Sequence, residues 1–287
     1  MRVFFLGGFE TFYFTIYFRL YELARDTDIQ RKLQAKIDNV IKKRKGDVTY
    51  EDTMTEVPCL EQVVNETSKT LTTKEVAAQA WVFFLAGFET SSTTVSFCLY
   101  ELARHPDIQK KVQEEIDDAL KKNNGDVTYD IIMTQMPYLE KVVNETLRMY
   151  PPATVLNREV VQDYKLPGYD CVLEKGTKVF IPVLGLHHDR KFFRTPEKFD
   201  PEHFSEEQKA SRHPYCYLPF GEGPRLCIGM RFGLMQVKLA LVHLLPKFDL
   251  LPVGDNQSKL RIAPNNFVLT AIVGIELRVE HRRISVR

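Results

Sequence analysis

A chain of 287 residues has room for one large domain or two small ones, and 44% hydrophobic with 27% charged residues is ordinary for a globular protein. A formal net charge of +1, from 39 Lys and Arg against 38 Asp and Glu, leaves no basic surplus for a nucleic-acid partner. The five cysteines, Cys59, Cys98, Cys171, Cys216 and Cys227, form neither a Cys-x-x-Cys pair nor a disulfide-like pattern, which fits a reducing compartment.

The first third of the chain repeats in the second. Val3-Phe-Phe-Leu-Gly-Gly-Phe-Glu-Thr11 returns as Val82-Phe-Phe-Leu-Ala-Gly-Phe-Glu-Thr90, and Gly46-Asp-Val-Thr-Tyr50 as Gly125-Asp-Val-Thr-Tyr129, at a constant offset of 79 residues. About 40 of the 65 positions from Val3 to Thr67 are identical, and two units without a third indicate a partial duplication rather than a solenoid. Residues 1–70 are therefore expected to be a degenerate copy of a segment that continues intact through 71–287. The repeated start, Val3 to Phe18, carries Glu10 and lacks the basic start and cleavage site of a signal peptide. No segment is expected to reach the roughly 18–20 apolar residues of a membrane span.

In the second copy the spacing predicts a long, mostly apolar helix from Lys74 to Arg104 and an amphipathic one from Asp107 to Lys122. Thr128 is placed to cap a short helix, and Leu139 to Tyr150 forms another that Pro151-Pro152 stops. Strands are expected at Asn157–Val161 and Thr177–Val183, loop from His187 to Gly229, helix from Met230 to Leu245, and two short strands within Asn266–Val279.

The loop Leu218-Pro-Phe-Gly-Glu-Gly-Pro-Arg-Leu-Cys-Ile-Gly229 holds three glycines and two prolines, so Cys227 lies on an irregular turn just before a helix. That position favours an anion, and the glycines let backbone approach a flat ligand closely. A lone cysteine before a helix is ordinarily a small buried hydrophobe, but the longer spacing Phe220-x-x-Gly223-x-Arg225-x-Cys227-x-Gly229 is specific. It resembles the haem-binding signature of the cytochrome P450 family. The resemblance implies that Cys227 is the proximal thiolate ligand of the iron of haem b.

Other stretches resemble the same family. Ala86-Gly87-Phe88-Glu89-Thr90 lies mid-helix and reads either as a plain kink or as the family's dioxygen groove, where Glu89 and Thr90 help to relay protons. Glu145 and Arg148, three apart on one helix, match the family's buried Glu-x-x-Arg pair. His203 stands where the family has the arginine that bonds this pair, so Glu145 is expected to lose a bidentate partner. Arg158 and Arg225 match arginines that hold haem propionates. Ala153, Thr154, Val155 and Leu156, with Asn266, Phe267 and Val268, match substrate-contacting stretches that are equally apolar enough for core. His187 and His188 invite a metal reading but have no further ligands at metal spacing.

The resemblance runs from about Leu71 to the C-terminus and implies a mainly α fold with small β-sheets, the incomplete C-terminal half of the cytochrome P450 fold. It implies an insect-type microsomal monooxygenase that oxidises lipophilic small molecules, with electrons from an NADPH-dependent cytochrome reductase. The family's address is the cytosolic face of the endoplasmic reticulum; with no anchor in this sequence, the cytosol is the alternative. A non-catalytic or merely haem-binding remnant is the other reading, and Glu89-Thr90 speaks against a peroxide-rearranging enzyme.

Overall fold

The computed structural model describes residues 2–5, 73–254, 260–263, 266, 268–272 and 274–282. Most of the first repeat, and with it the expected domain 1–70, lies outside them. The chain divides into two compact units, 12–88 and 1–11 with 89–287, and the account below concerns the second unless stated.

Among the described residues, β1 (Arg2–Phe5) precedes helices α1 (Thr73–Arg104), α2 (Pro106–Lys122), α3 (Tyr129–Thr134) and α4 (Pro137–Met149). The hairpin strands β2 (Leu156–Glu159), β3 (Tyr164–Lys165), β4 (Val172–Leu173) and β5 (Lys178–Ile181) follow, then the short α5 (Val183–His187) and α6 (Glu206–Ser211). Helix α7 (Met230–Leu244) and strands β6 (Phe248–Pro252) and β7 (Ile275–His281) complete the order, which is mainly α with small antiparallel sheets, as the sequence implies.

The sheets are β1-β7-β6, β2-β5 and β3-β4. Strand β7 lies between its two neighbours, with Leu277 opposite Val3 and Pro252. The backbone of Val3–Phe5 is thus extended, whereas its repeat Val82–Phe84 lies within α1. Val and Phe are good strand formers, and four residues are too few to fix a helical period.

The C-terminal part of α1 is the centre of the core. Phe97, Cys98, Leu99 and Leu102 are buried there, packed with Val112 and Ile116 of α2 and Val142 of α4. In α2 the stripe Ile108, Val112, Ile116, Ala119 is buried at a spacing of three to four residues, as an amphipathic helix requires. Two buried glutamines tie α2 to the C-terminal sheet. Gln109 donates to Leu250 O at 3.0 Å and accepts from Leu250 N at 2.8 Å, while Gln113 donates to Leu245 O and Phe248 O, each at 3.1 Å.

The expectation about a span is corrected here. Val82–Arg104 is long and apolar enough to cross a membrane by length and composition. Its residues from Ser92 to Leu99 are nevertheless buried in protein, and a core helix meets the same criterion.

Thr128 caps α3 by accepting from Ile131 N at 3.4 Å. The start of α4 has no cap of its own; Glu115 of α2 reaches across and takes Tyr138 N and Leu139 N, one on each carboxylate oxygen, both at 2.8 Å. Glu115→Ala is expected to lower stability by about 1–2 kcal/mol, and Glu115→Gln by less, in a denaturant titration.

Candidate active site

The cysteine loop begins where the chain leaves a 3-10 turn, Pro214–Cys216. Leu218 O accepts from Gly221 N at 3.1 Å, and the chain then reverses at Gly221, whose φ of +73° suits a residue without a Cβ. Phe220 O accepts from Cys227 N at 2.9 Å, and a second 3-10 turn, Gly223–Arg225, lies between. Cys227 stands two residues before Gly229, the cap of α7, and its carbonyl accepts from Met230 N at 3.3 Å.

Cys227 is exposed, as is the guanidinium-bearing Arg225. Cys98 and Cys216 are buried instead. Burial pushes the Cys98 thiol up to about 12 and raises that of Cys216, so neither is suited to be a thiolate. Cys171 is exposed but adjoins β4, away from the glycine-rich stretch in sequence.

Beta-strand β2 faces the loop. A Cβ added at Gly221 would lie 3.7 Å from Leu156 Cδ1 and 3.9 Å from Arg158 Nη2, so both side chains lean on the turn. The Arg158 guanidinium also donates to Asn157 O at 2.9 Å. Added Cβ atoms at Gly223 and Gly229 would meet nothing within 4 Å. The loop therefore presents a sulfur, bare backbone and two nearby cations. That donor set fits haem, whose iron takes a thiolate and whose propionates take cations.

Helix α1 comes close to α7 at Ser91, whose Oγ lies 3.3 Å from Gln236 Oε1 and 3.8 Å from where a Cβ of Gly233 would be. Glu89 and Thr90 are the residues just before it in α1. Their carbonyls accept from Ser92 Oγ at 3.1 Å and Thr94 Oγ1 at 2.8 Å, respectively. The helix is unbroken through Gly87. Ala86 and Gly87 belong to the other unit; a Cβ at Gly87 would have open space around it.

The structure brings Glu145, Arg148 and His203 together, with Glu145 and Arg148 fully buried. Arg148 Nε and Nη2 grip both Glu145 oxygens at 2.8 Å. Glu145 Oε1 also takes Asp200 N at 2.9 Å, with His203 Nδ1 at 3.1 Å. His203 thus gives Glu145 a single contact in place of an arginine's fork, and the bidentate grip on Glu145 is that of Arg148. Arg212 donates to His203 O and stacks on Phe193 and Phe204, at 4.4 and 5.1 Å from the ring centres.

The candidate substrate residues differ in access. Ala153 and Val155 are exposed, Thr154 and Leu156 partly so, and Thr154 O is taken by Leu184 N at 3.0 Å. Asn266 is exposed, Val268 is buried, and Phe267 lies outside the described residues. A cavity of about 210 Å³, lined by Asn144, Phe204, Arg212, Cys216 and Tyr217 among others, lies at the loop's entry rather than at Cys227. Its lining includes none of the residues of the haem signature.

His187, considered above for a metal, has both ring nitrogens against backbone: Nδ1 is 3.2 Å from Arg148 O and Nε2 accepts from Leu218 N at 2.9 Å. Sequence reasoning missed this role. The one available signal was its place at the end of Val183-Leu-Gly-Leu-His, an apolar run that foretells burial.

The model of the family described as Cytochrome P450 matches residues 1–68 and again 66–278. The chain belongs to the cytochrome P450 family. Its curated relatives include a probable cytochrome P450 6a13 of Drosophila melanogaster, 50% identical over 73% of this chain and 42% of that protein. Cytochrome P450 6k1 of Blattella germanica is 43% identical over 93% of this chain and 50% of its own length. Cytochrome P450 6B2 of Helicoverpa armigera is 46% identical over 76% of this chain and 43% of its own length. The chain thus spans about half the length of the insect cytochromes P450 it matches, and two successive matches to one family model agree with the internal repeat.

Proposed function

We propose that this chain carries the thiolate side and central helix of a haem monooxygenase acting on lipophilic small molecules. The observation that supports it best is Cys227. Among the described cysteines it alone combines exposure with a glycine-rich turn and the family's full motif. Cys227 would hold the iron through sulfur, and Phe220, Gly223 and Gly229 would shape a close backbone approach. Arg158 and Arg225 would pair with the propionates.

When bound, haem supplies activation of dioxygen; the overall reaction consumes two electrons and two protons, leaves one oxygen atom in the substrate and releases the other as water. Glu89 and Thr90 would hold and move the protons, with Ala86 and Gly87 leaving room beside them. Ala153, Thr154, Val155, Leu156, Asn266, Phe267 and Val268 would line the apolar substrate side. Electrons would come from NADPH through a cytochrome reductase. Detoxification at the cytosolic face of the endoplasmic reticulum belongs to the same reading. So does the division into a duplicated segment, 1–70, and a haem-binding portion, 71–287.

Reconstitution of the full chain with haem tests this. The reduced protein with carbon monoxide is expected to give a thiolate-type spectrum that Cys227→Ala abolishes and that Cys171→Ala and Cys216→Ala keep. Thiolate ligation retained in Cys227→Ala would remove the assignment.

A further inference from the structure

His187 closes α5 and is completely buried. Its two ring contacts admit one tautomer. A carbonyl only accepts, so Nδ1 must carry the hydrogen that goes to Arg148 O, 3.2 Å away. An amide only donates, so Nε2 must be bare to receive Leu218 N–H at 2.9 Å. The bond to Arg148 is returned, because Arg148 Nη1 donates to His187 O at 3.0 Å. Tyr217 lies against the imidazole, ring centres 5.1 Å apart. The Tyr217 hydroxyl is 3.0 Å from Asn144 O and 3.1 Å from Asn144 Oδ1, which ties the same loop entry to α4 a second time.

Leu218 is the first residue of the cysteine loop, and the chain of bonds continues from it. Its carbonyl receives Gly221 N at 3.1 Å, and the neighbouring Phe220 carbonyl receives Cys227 N at 2.9 Å. We propose that His187 is the positioning residue of this loop: its neutral, Nδ1-protonated ring joins the Arg148 helix to the amide at which the loop toward Cys227 begins. The importance of that loop for haem rests on the function proposed above; the tether itself rests on the hydrogen bonds alone. Desolvation, the main cause, together with the nearby Arg148 charge, pushes the His187 pKa down to about 3, which keeps Nε2 an acceptor in neutral solution.

Three substitutions separate the two bonds. The amide oxygen of His187→Gln reaches the Nε2 position and keeps an acceptor for Leu218. His187→Asn reaches only the Nδ1 position, toward Arg148. His187→Leu offers neither. The measurement is amide hydrogen exchange in the full chain without haem, following peptides across 218–227 with α2 as the internal control, alongside the carbon monoxide spectrum after haem addition. Exchange at Leu218 and Cys227 is expected to rise about tenfold or more in the Asn and Leu variants, with α2 unchanged, and to stay near wild type in Gln. The thiolate share of the spectrum is expected to fall in the same order. Unchanged exchange across 218–227 in folded Asn and Leu variants would overturn the proposal. Should both lose the fold, the Gln variant decides, because exchange there as fast as in an untethered loop would equally overturn it. A wild type that exchanges slowly yet gives no thiolate spectrum would refute the haem reading and leave the tether standing.

Discussion

Arg148→Met is expected to cost about 3–5 kcal/mol, the largest loss for any single substitution considered. The Glu145 carboxylate is 0% exposed, and among the described residues Arg148 is its only full cation contact, through two bonds of 2.8 Å. Removing the guanidinium leaves a buried negative charge with Asp200 N and His203 as neighbours. It also strips donors from His187 O and Lys198 O, at 3.0 and 3.3 Å. The pair itself is worth less than this figure, because replacing both partners removes the uncompensated charge. The double variant Arg148→Met with Glu145→Leu is therefore expected to recover part of the loss in a denaturant titration. If the double variant is as unstable as the sum of the two single ones, the charge pairing does not explain the effect.

Acid is expected to weaken the fold through His187. A histidine whose folded pKa lies below its unfolded value of 6.5, here at about 3, takes up its proton more readily in the unfolded state. The stability it gives is therefore complete above pH 6.5 and drains away as pH falls toward 3. The loss is about 0.7 kcal/mol per pH unit at pH 6.5 and approaches about 1.4 lower in the window, so moving from pH 6.5 to 4.5 costs about 2 kcal/mol from this ring. His188, lowered by its own burial, acts in the same direction. Arg148 and His188 both oppose a charge on His187, and the Tyr217 ring offers it no anion. Glu101 works the other way, since burial raises its carboxyl above the usual range and favours the protonated form as pH falls. A comparison of wild type with His187→Gln cancels Glu101 and His188. The variant is expected to lose about 2 kcal/mol less between pH 6.5 and 4.5; parallel pH profiles would contradict the assignment of a neutral buried ring.

Where a periodic pattern lay within one helix, the sequence was easy to read. Ile108, Val112, Ile116 and Ala119 announce α2, and Thr128 announces α3 by its own side chain. Elements made by distant partners were harder. Strand β6 reads Phe-Asp-Leu-Leu-Pro, without alternation, and exists because β7 pairs with it. Helix α5 carries a glycine at its centre and starts at Val183, where a strand was expected to end. The supposed loop from His187 to Gly229 holds α6 and three 3-10 turns, started by Asp200, His213 and Glu222 side chains that accept backbone amides. At the site, the motif around Cys227 was visible because its spacing is local. What holds the loop was not: no spacing rule joins His187 to an amide 31 residues later, or Tyr217 to Asn144 73 residues before.

Those separations also carry unequal costs in chain entropy. The turns inside 218–227 close over a few residues and cost little chain entropy. The ties to α4 and α5 close far longer segments, and each pays its closure cost before any contact repays it. The bond that fixes Leu218 reaches back 31 residues to His187, whose ring and carbonyl are held in turn by Arg148. The surroundings of Cys227 therefore combine cheap local turns with one costly long-range closure, and the helical core offsets the second.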